Sequence, residues 1–492
     1  MAQGKRQFRT LEFFLLLTCV LLLVLYYGYL DHAFPDRGTG ARLMIWTGMP
    51  LLAGGFFLFL HRLCPLRLIS ALRSFLSAPG CGRFILLFLL FAIPRAVYRL
   101  CCDPPVISDY KIYVTLGEQY AADGTIGMIN YVTKIAPNIT IYVAVLGLLM
   151  RVFGPGAATA QIFVMILNGC NVFLLYAAAR RLTSRARAYL AAALFTLIPE
   201  NIFYSVLPGI EAISLFTILL GLLMILSIPG KKAPAGLGLA LAGGTLLALS
   251  AFIRASAWAA AAGAAVWLLT RRGLPIRRLL ALFAAIAVGI GGSWLCYRAF
   301  QRRVFPEEMP VSGIGWPLFE GLDITGGGWS EEKAARKDEI IESHSAKESD
   351  RILMKEALER FNSYSFTEKL RMFGRKGGIV WFDSGYSVYM LEDPALRTGT
   401  SAVAGTGLYI CIALWIACMA GRVRRPLRGT DRAACALCLT VILLTTLWHE
   451  FGTSISRYRY MMLPFATLMT GVILPVKTRP WEPALKGRKK GR

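Results

Sequence analysis

The chain has 492 residues, of which 56% are hydrophobic and 17% charged, and its mean hydropathy is +0.54. A soluble domain carries about 25% charged residues, so a water-soluble globule is excluded and a bilayer is the fitting solvent. The net charge of +25 would suggest a nucleic-acid partner in a soluble protein. Here Lys and Arg sit in short clusters between apolar runs, the pattern that orients membrane spans, and no nucleic-acid-binding motif accompanies them.

The expected fold class is an all-α polytopic membrane protein of about twelve spans. Basic residues Lys5, Arg6 and Arg9 precede an apolar run over 11–30. That run is about twenty residues long and no small-residue cleavage site follows it, so a retained span is predicted rather than a signal peptide. Further spans are predicted over 43–62, 84–100, 158–179, 187–205, 211–229, 236–252, 255–270, 279–297, 402–421, 432–449 and 459–475. With the N-terminus inside, the inner segments are 1–10, 63–83, 180–186, 230–235, 271–278, 422–431 and the tail from Lys486, and each of them is basic. This agreement predicts both termini on the cytoplasmic side of a plasma (inner) membrane and leaves 31–42, 101–157 and 298–401 outside.

The segment 101–157 is too long for a structureless loop. Its residues 107–122 have helical spacing. The apolar stretch 139–153 is too short to span and fits an interfacial helix, closed by Gly154, Pro155 and Gly156. The segment 298–401 reads as a small extracytoplasmic domain, with a glycine-rich turn region over 313–329 and a helix opening at Ser330, Glu331 and Glu332. The resulting division is 1–83 as a two-span hairpin with a basic inner loop, 84–297 as the core, 298–401 as the soluble domain and 402–492 as the final spans and tail. The 11 cysteines have no metal-ligand or disulfide spacing and read as small packing residues. No P-loop is present. Gly289, Gly291 and Gly292 lie in a predicted span, where they suit close helix packing.

Asp109 is the sharpest candidate for chemistry. An acid just beyond a span, among Tyr110 and Tyr113, can be partly desolvated into a usable base; the plain alternative is a solvated loop acid or a helix cap. Lys134, Arg254, Arg457 and Arg459 fall at the outer ends of apolar segments, where cations suit a lipid phosphate or simply snorkel to the interface. Glu211 and Glu450 are acids at the same boundary. Either could pair with an arginine, position an acceptor or help to hold a divalent metal, and two isolated acids do not assign one. His449 reads as a polar end-cap.

These residues together resemble the family 39-like, GT-C fold glycosyltransferases, membrane enzymes that take sugars from polyprenyl-phosphate donors. The likeness is carried by Ser108, Asp109 and Tyr110 with Tyr113 and Glu118, and by Lys134, Pro137 and Tyr142 running to Gly154. It continues through Gln161 to Arg181, Pro199 to Glu211, the span ending in Arg254, the Trp316–Trp329 region, and Arg457, Tyr458, Arg459 and Tyr460 with Pro464. It covers residues 84–475. The first two spans are extra to the simplest family plan. The family's Lys-Pro-Pro-Leu element reads Lys134, Ile135, Ala136, Pro137 here, and the acid pair of protein O-mannosyltransferases is absent because Tyr110 follows Asp109. The resemblance implies Asp109 as general base and Arg254, Arg457 and Lys134 around the donor phosphate. It implies Glu211 and Glu450 as acceptor-side or structural acids and Tyr110, Tyr113, Tyr142 and Tyr458 as lining. The implied partners are a polyprenyl-phosphate-linked sugar and an envelope glycan, lipid or protein acceptor, with no redox cofactor. A transporter or flippase would show mid-span charges and inverted repeats, of which the chain has few and none clear. A surface-polymer polymerase or ligase would share the outer arginines.

Overall fold

The structure, a computed structural model, describes residues 2–33, 81–126, 137–271, 274–305, 313–325, 330–424, 427 and 429–473. The expected span 43–62, Lys134, residues 326–329 of the glycine-rich turn, and the tail from Lys486 lie outside the described residues. Among those described, all regular structure is helical, as an apolar chain in a bilayer requires when no closed barrel forms.

The first half comprises α1 (Ala2–Ala33), α2 (Gly82–Cys102), α3 (Asp109–Asp123), α4 (Thr140–Phe153), α5 (Ala157–Leu182), α6 (Arg185–Leu197), α7 (Pro199–Tyr204), α8 (Glu211–Leu226), α9 (Ala233–Ile253), α10 (Trp258–Thr270) and α11 (Ile276–Val304). Then follow α12 (Gly315–Gly321), α13 (Glu331–Ser343), α14 (Ala346–Ser363), α15 (Phe366–Phe382), α16 (Pro394–Arg424), α17 (Gly429–Phe451) and α18 (Leu463–Ile473), with a 3-10 turn at Ser456–Met461. Five of the described helices, α2, α5, α9, α11 and α17, are long and apolar enough to cross a membrane. Expected spans 11–30 and 402–421 lie within the long helices α1 and α16, and the other expected spans within the described residues fall on shorter helices.

The expected span 187–205 is two helices. Its break falls at Pro199, which lacks an N–H and cannot continue α6 but opens α7 at its first residue. A carbonyl in the last turn of α6, Thr196 O, meets Arg95 of α2, which is fully buried. Its Nη1 donates to Phe91 O at 2.9 Å and Thr196 O at 3.3 Å, and its guanidinium lies 4.2 Å from the Phe91 ring. A cation at a helix C-terminus is favourable, which helps to hold a buried arginine that has no carboxylate bonded to it among the described residues. Gly289 packs α11 on α9 as expected: a Cβ there would overlap Leu241 O, and one at Gly244 would stand 2.9 Å from Ile286 Cα. Gly291 and Gly292 face open space instead.

A second, smaller core gathers Phe319, Leu322, Ile340, Ile341, Leu353, Ala357 and Met372 from α12 to α15. Three serines open its helices. The Oγ of Ser330, Ser345 and Ser365 accept the N–H of Lys333, Glu348 and Glu368 at 3.3, 3.4 and 3.3 Å. Glu368 returns the bond to Ser365 N at 2.7 Å, completing a capping box. α16 runs unbroken across the expected boundary between residues 401 and 402.

Candidate active site

Four charged residues separated by up to 348 positions come together where α3, α8, α9 and the Ser456–Met461 turn meet. Arg457 stands at the centre. Its Nη2 donates to Asp109 Oδ2 at 2.9 Å, and its Nε lies 3.1 Å from Glu211 Oε1. The same Glu211 oxygen accepts from Arg254 Nη2. Asp109 and Glu211 are each the first residue of a helix, where unpaired backbone N–H groups favour a negative charge. Arg254 caps the other end of the arrangement, just past the last turn of α9. The Glu211, Arg254 and Arg457 side chains are 8%, 8% and 5% exposed, whereas that of Asp109 is 36% exposed. The three inner groups therefore form a fixed ionic frame, and Asp109 is its solvent-accessible member.

Aromatic rings wall this frame. The Arg254 guanidinium lies 4.5 Å from the Tyr458 ring and that of Arg457 5.5 Å from Tyr110. Tyr110 meets Tyr113 edge-on at 6.5 Å, and Tyr113 meets Tyr142 at 5.6 Å. The Tyr142 hydroxyl donates to Pro208 O at 2.8 Å, tying α4 to the turn that leads into Glu211. Ser108, immediately before Asp109, holds φ 55° and ψ −139°. That backbone state is costly for a residue with a Cβ and recurs where side chains are aimed for chemistry.

Of the expected site residues, Asp109, Arg254, Arg457, Glu211, Tyr110, Tyr113, Tyr142 and Tyr458 converge. Lys134 lies outside the described residues. Glu450 sits apart from them: its carboxylate lies against Gly377 of α15, and its backbone oxygen accepts from the Lys376 ammonium of that helix, which also donates to Gly321 O at 2.7 Å. Arg459 is consumed in structure. It is fully buried and bonds Glu200 through Nε at 2.9 Å and Nη2 at 2.7 Å. His449 is more than an end-cap, since its ring stacks on Tyr458 at 4.4 Å and its Nδ1 lies 3.3 Å from Thr453 O.

Sequence reasoning missed Glu200, Glu320 and Thr453. Glu200 had a signal, because a carboxylate inside an apolar run needs a partner. Glu320 had none: it sits on α12, and its oxygen accepts from Thr453, 133 residues away, at 2.9 Å. No group of three or more metal-ligating side chains occurs among the described residues, and the Glu211 carboxylate is engaged by two arginines.

An exposed apolar groove of about 500 Å³ begins beside Arg254, at Ala255 and Ser256, and runs past Trp258, Leu444, Leu447 and Phe451. Arg254 Nε, though buried, has no hydrogen-bond partner among the described residues.

No protein-family model matches the chain, and no curated protein matches it in sequence. Among solved structures it is similar to the archaeal oligosaccharyltransferase AglB of Archaeoglobus fulgidus, at 12% identity over 79% of this chain and 50% of that one, with a TM-score of 0.43. The chain thus spans half the length of that protein. It is also similar to ArnT of Cupriavidus metallidurans. The ArnT form bound to undecaprenyl phosphate has 15% identity over 80% of this chain and 78% of that one, at a TM-score of 0.37. The apo form has 14% identity over the same shares, at 0.33.

Proposed function

We propose that the chain is a GT-C-type glycosyltransferase that moves a sugar from a polyprenyl-phosphate donor to an acceptor hydroxyl or amine at the outer face of a plasma membrane. The observation that carries it is an accessible carboxylate, Asp109, paired with the buried Arg457 in an ionic frame whose second guanidinium, Arg254, adjoins the start of an apolar groove. In this scheme the groove takes the lipid chain, while Arg254 and Arg457, with Lys134, hold the phosphate. The acceptor oxygen bonds to the anomeric carbon as Asp109 takes its proton. The bond from that carbon to the phosphate oxygen breaks, and its electron pair leaves with the phosphate. Guanidiniums already fixed by Glu211 stabilise that charge without reorganising. The buried Arg254 Nε, unpaired among the described residues, leaves a donor that such an anion could take. The basic inner loops support cytoplasmic termini and an extracytoplasmic 298–401, and the second core supports that segment as a small domain of its own beside the divisions 1–83, 84–297 and 402–492.

The test is transfer by the purified protein in liposomes from polyprenyl-phosphate sugars. Asp109→Asn should lower the rate on the order of 10³-fold with unchanged helicity and melting. Near-normal rates in that variant would sink the base assignment. Mass spectrometry of envelope glycans and glycolipids with and without the gene would identify the acceptor.

A further inference from the structure

His449 stands in the last turn of α17 and is 5% exposed. The turn that follows holds it twice. Its Nδ1 donates to Thr453 O at 3.3 Å, since a carbonyl oxygen only accepts, and Ser454 Oγ donates to its backbone oxygen at 2.6 Å. Thr453 is itself anchored, because its Oγ1 donates to Glu320 Oε2 of α12 at 2.9 Å. The second ring nitrogen, Nε2, is buried with no hydrogen-bond partner among the described residues, which costs free energy. An aliphatic side chain would avoid that cost, but it would have no flat face to offer a neighbouring ring.

That face meets Tyr458. The two rings lie 4.4 Å apart at 21°. The Tyr458 hydroxyl makes no hydrogen bond among the described residues, so its ring is placed by what packs on it and not by a bond at its tip. The same ring has the Arg254 guanidinium 4.5 Å from its centre and that of Arg457 at 5.9 Å. Arg254 Nη2 is bonded to Glu211, and its Nε is unpaired among the described residues. One ion pair fixes one corner of a guanidinium. The aromatic face it lies on fixes its plane.

We propose that His449 is a positioning residue for Arg254, acting through Tyr458: the fixed imidazole sets the Tyr458 ring, and that ring sets the plane in which Arg254 offers Nε to the donor phosphate. This rests on the transferase function proposed above. His449 has no need to touch the substrate, and it makes or breaks no bond in the transfer. Each link of the relay is a direct contact: Thr453 O to imidazole, imidazole to phenol ring, phenol ring to guanidinium. A side chain that merely filled space would be replaceable by any other of its volume, whereas this role needs a ring.

The experiment is calorimetric binding of a short-chain polyprenyl phosphate to the full chain in detergent, beside sugar transfer in liposomes. His449→Leu fills the space without a flat ring and should weaken binding about tenfold, the scale of one desolvated cation–π contact. His449→Gln, which can still donate to Thr453 O, should weaken it as much, while His449→Phe should bind like wild type. In an Arg254→Gln background the ring-free variants should cost nothing further, because the guanidinium they act on is gone. Equal losses in both backgrounds, or a loss in His449→Phe as large as in the ring-free variants, overturn the proposal and leave the transferase function standing. If wild type binds the phosphate yet transfers no sugar, the transferase function fails and the cycle still decides the positioning. If wild type binds no polyprenyl phosphate, both fall.

Discussion

Arg457 and Arg459 are two positions apart and do opposite work. In a 3-10 helix, with about three residues per turn, positions i and i+2 point to different sides. Arg457 therefore reaches the accessible Asp109, while Arg459 enters the interior. There it meets Glu200 in a two-pronged bond and also donates to Val380 O and Asp383 O. A buried pair of this kind is costly to halve. Arg459→Met should destabilise the protein by about 3–5 kcal/mol, read as a lower unfolding midpoint in detergent, and the double variant with Glu200→Met should recover part of that loss. In sequence the two arginines are equivalent outer-end cations; only the turn geometry separates them.

The working element is the helix end rather than the helix. Asp109 and Glu211 open α3 and α8, and Arg254 follows α9, so the site is assembled from termini whose backbone partial charges suit the side chains they carry. Such a site is as fixed as the helices behind it, and α9 is held to α11 at Gly289. Gly289→Leu should cost about 1–3 kcal/mol or more through overlap with backbone, with activity lost in step. Gly291→Ala, which meets open space, should melt like wild type. The apolar runs made these helices legible in sequence, as did the glycine-bearing face, but which glycine sits at the crossing depends on rotation about the helix axis. The break at Pro199 was available in sequence too, since proline marks it locally.

For the molecule as a whole, the groove beside Arg254 brings together α10, α12 and α17, elements nearly two hundred residues apart, around a face rich in exposed apolar side chains. If it takes the lipid chain, filling it should weaken donor binding without touching chemistry. Ala262→Trp should raise KM for a long-chain donor about tenfold, roughly 1.4 kcal/mol, with kcat kept and a short-chain donor unaffected. An equal loss for both donors would place the lipid elsewhere.

Composition and apolar periodicity by themselves determined a helical membrane chain and most of its helices, because in hydrocarbon every backbone polar group must be satisfied within the segment. The boundary position of Asp109, Glu211, Arg254 and Arg457 was equally local, since a charge at the end of an apolar run announces itself. Which charges meet was a tertiary decision. Ion pairs form at a few ångströms between residues hundreds of positions apart, and nothing in the local sequence told Glu211 from Glu450 or Arg457 from Arg459. Glu320 is the limiting case: an ordinary glutamate in a short helix that acquires its surroundings only when α12 is set down on the end of α17.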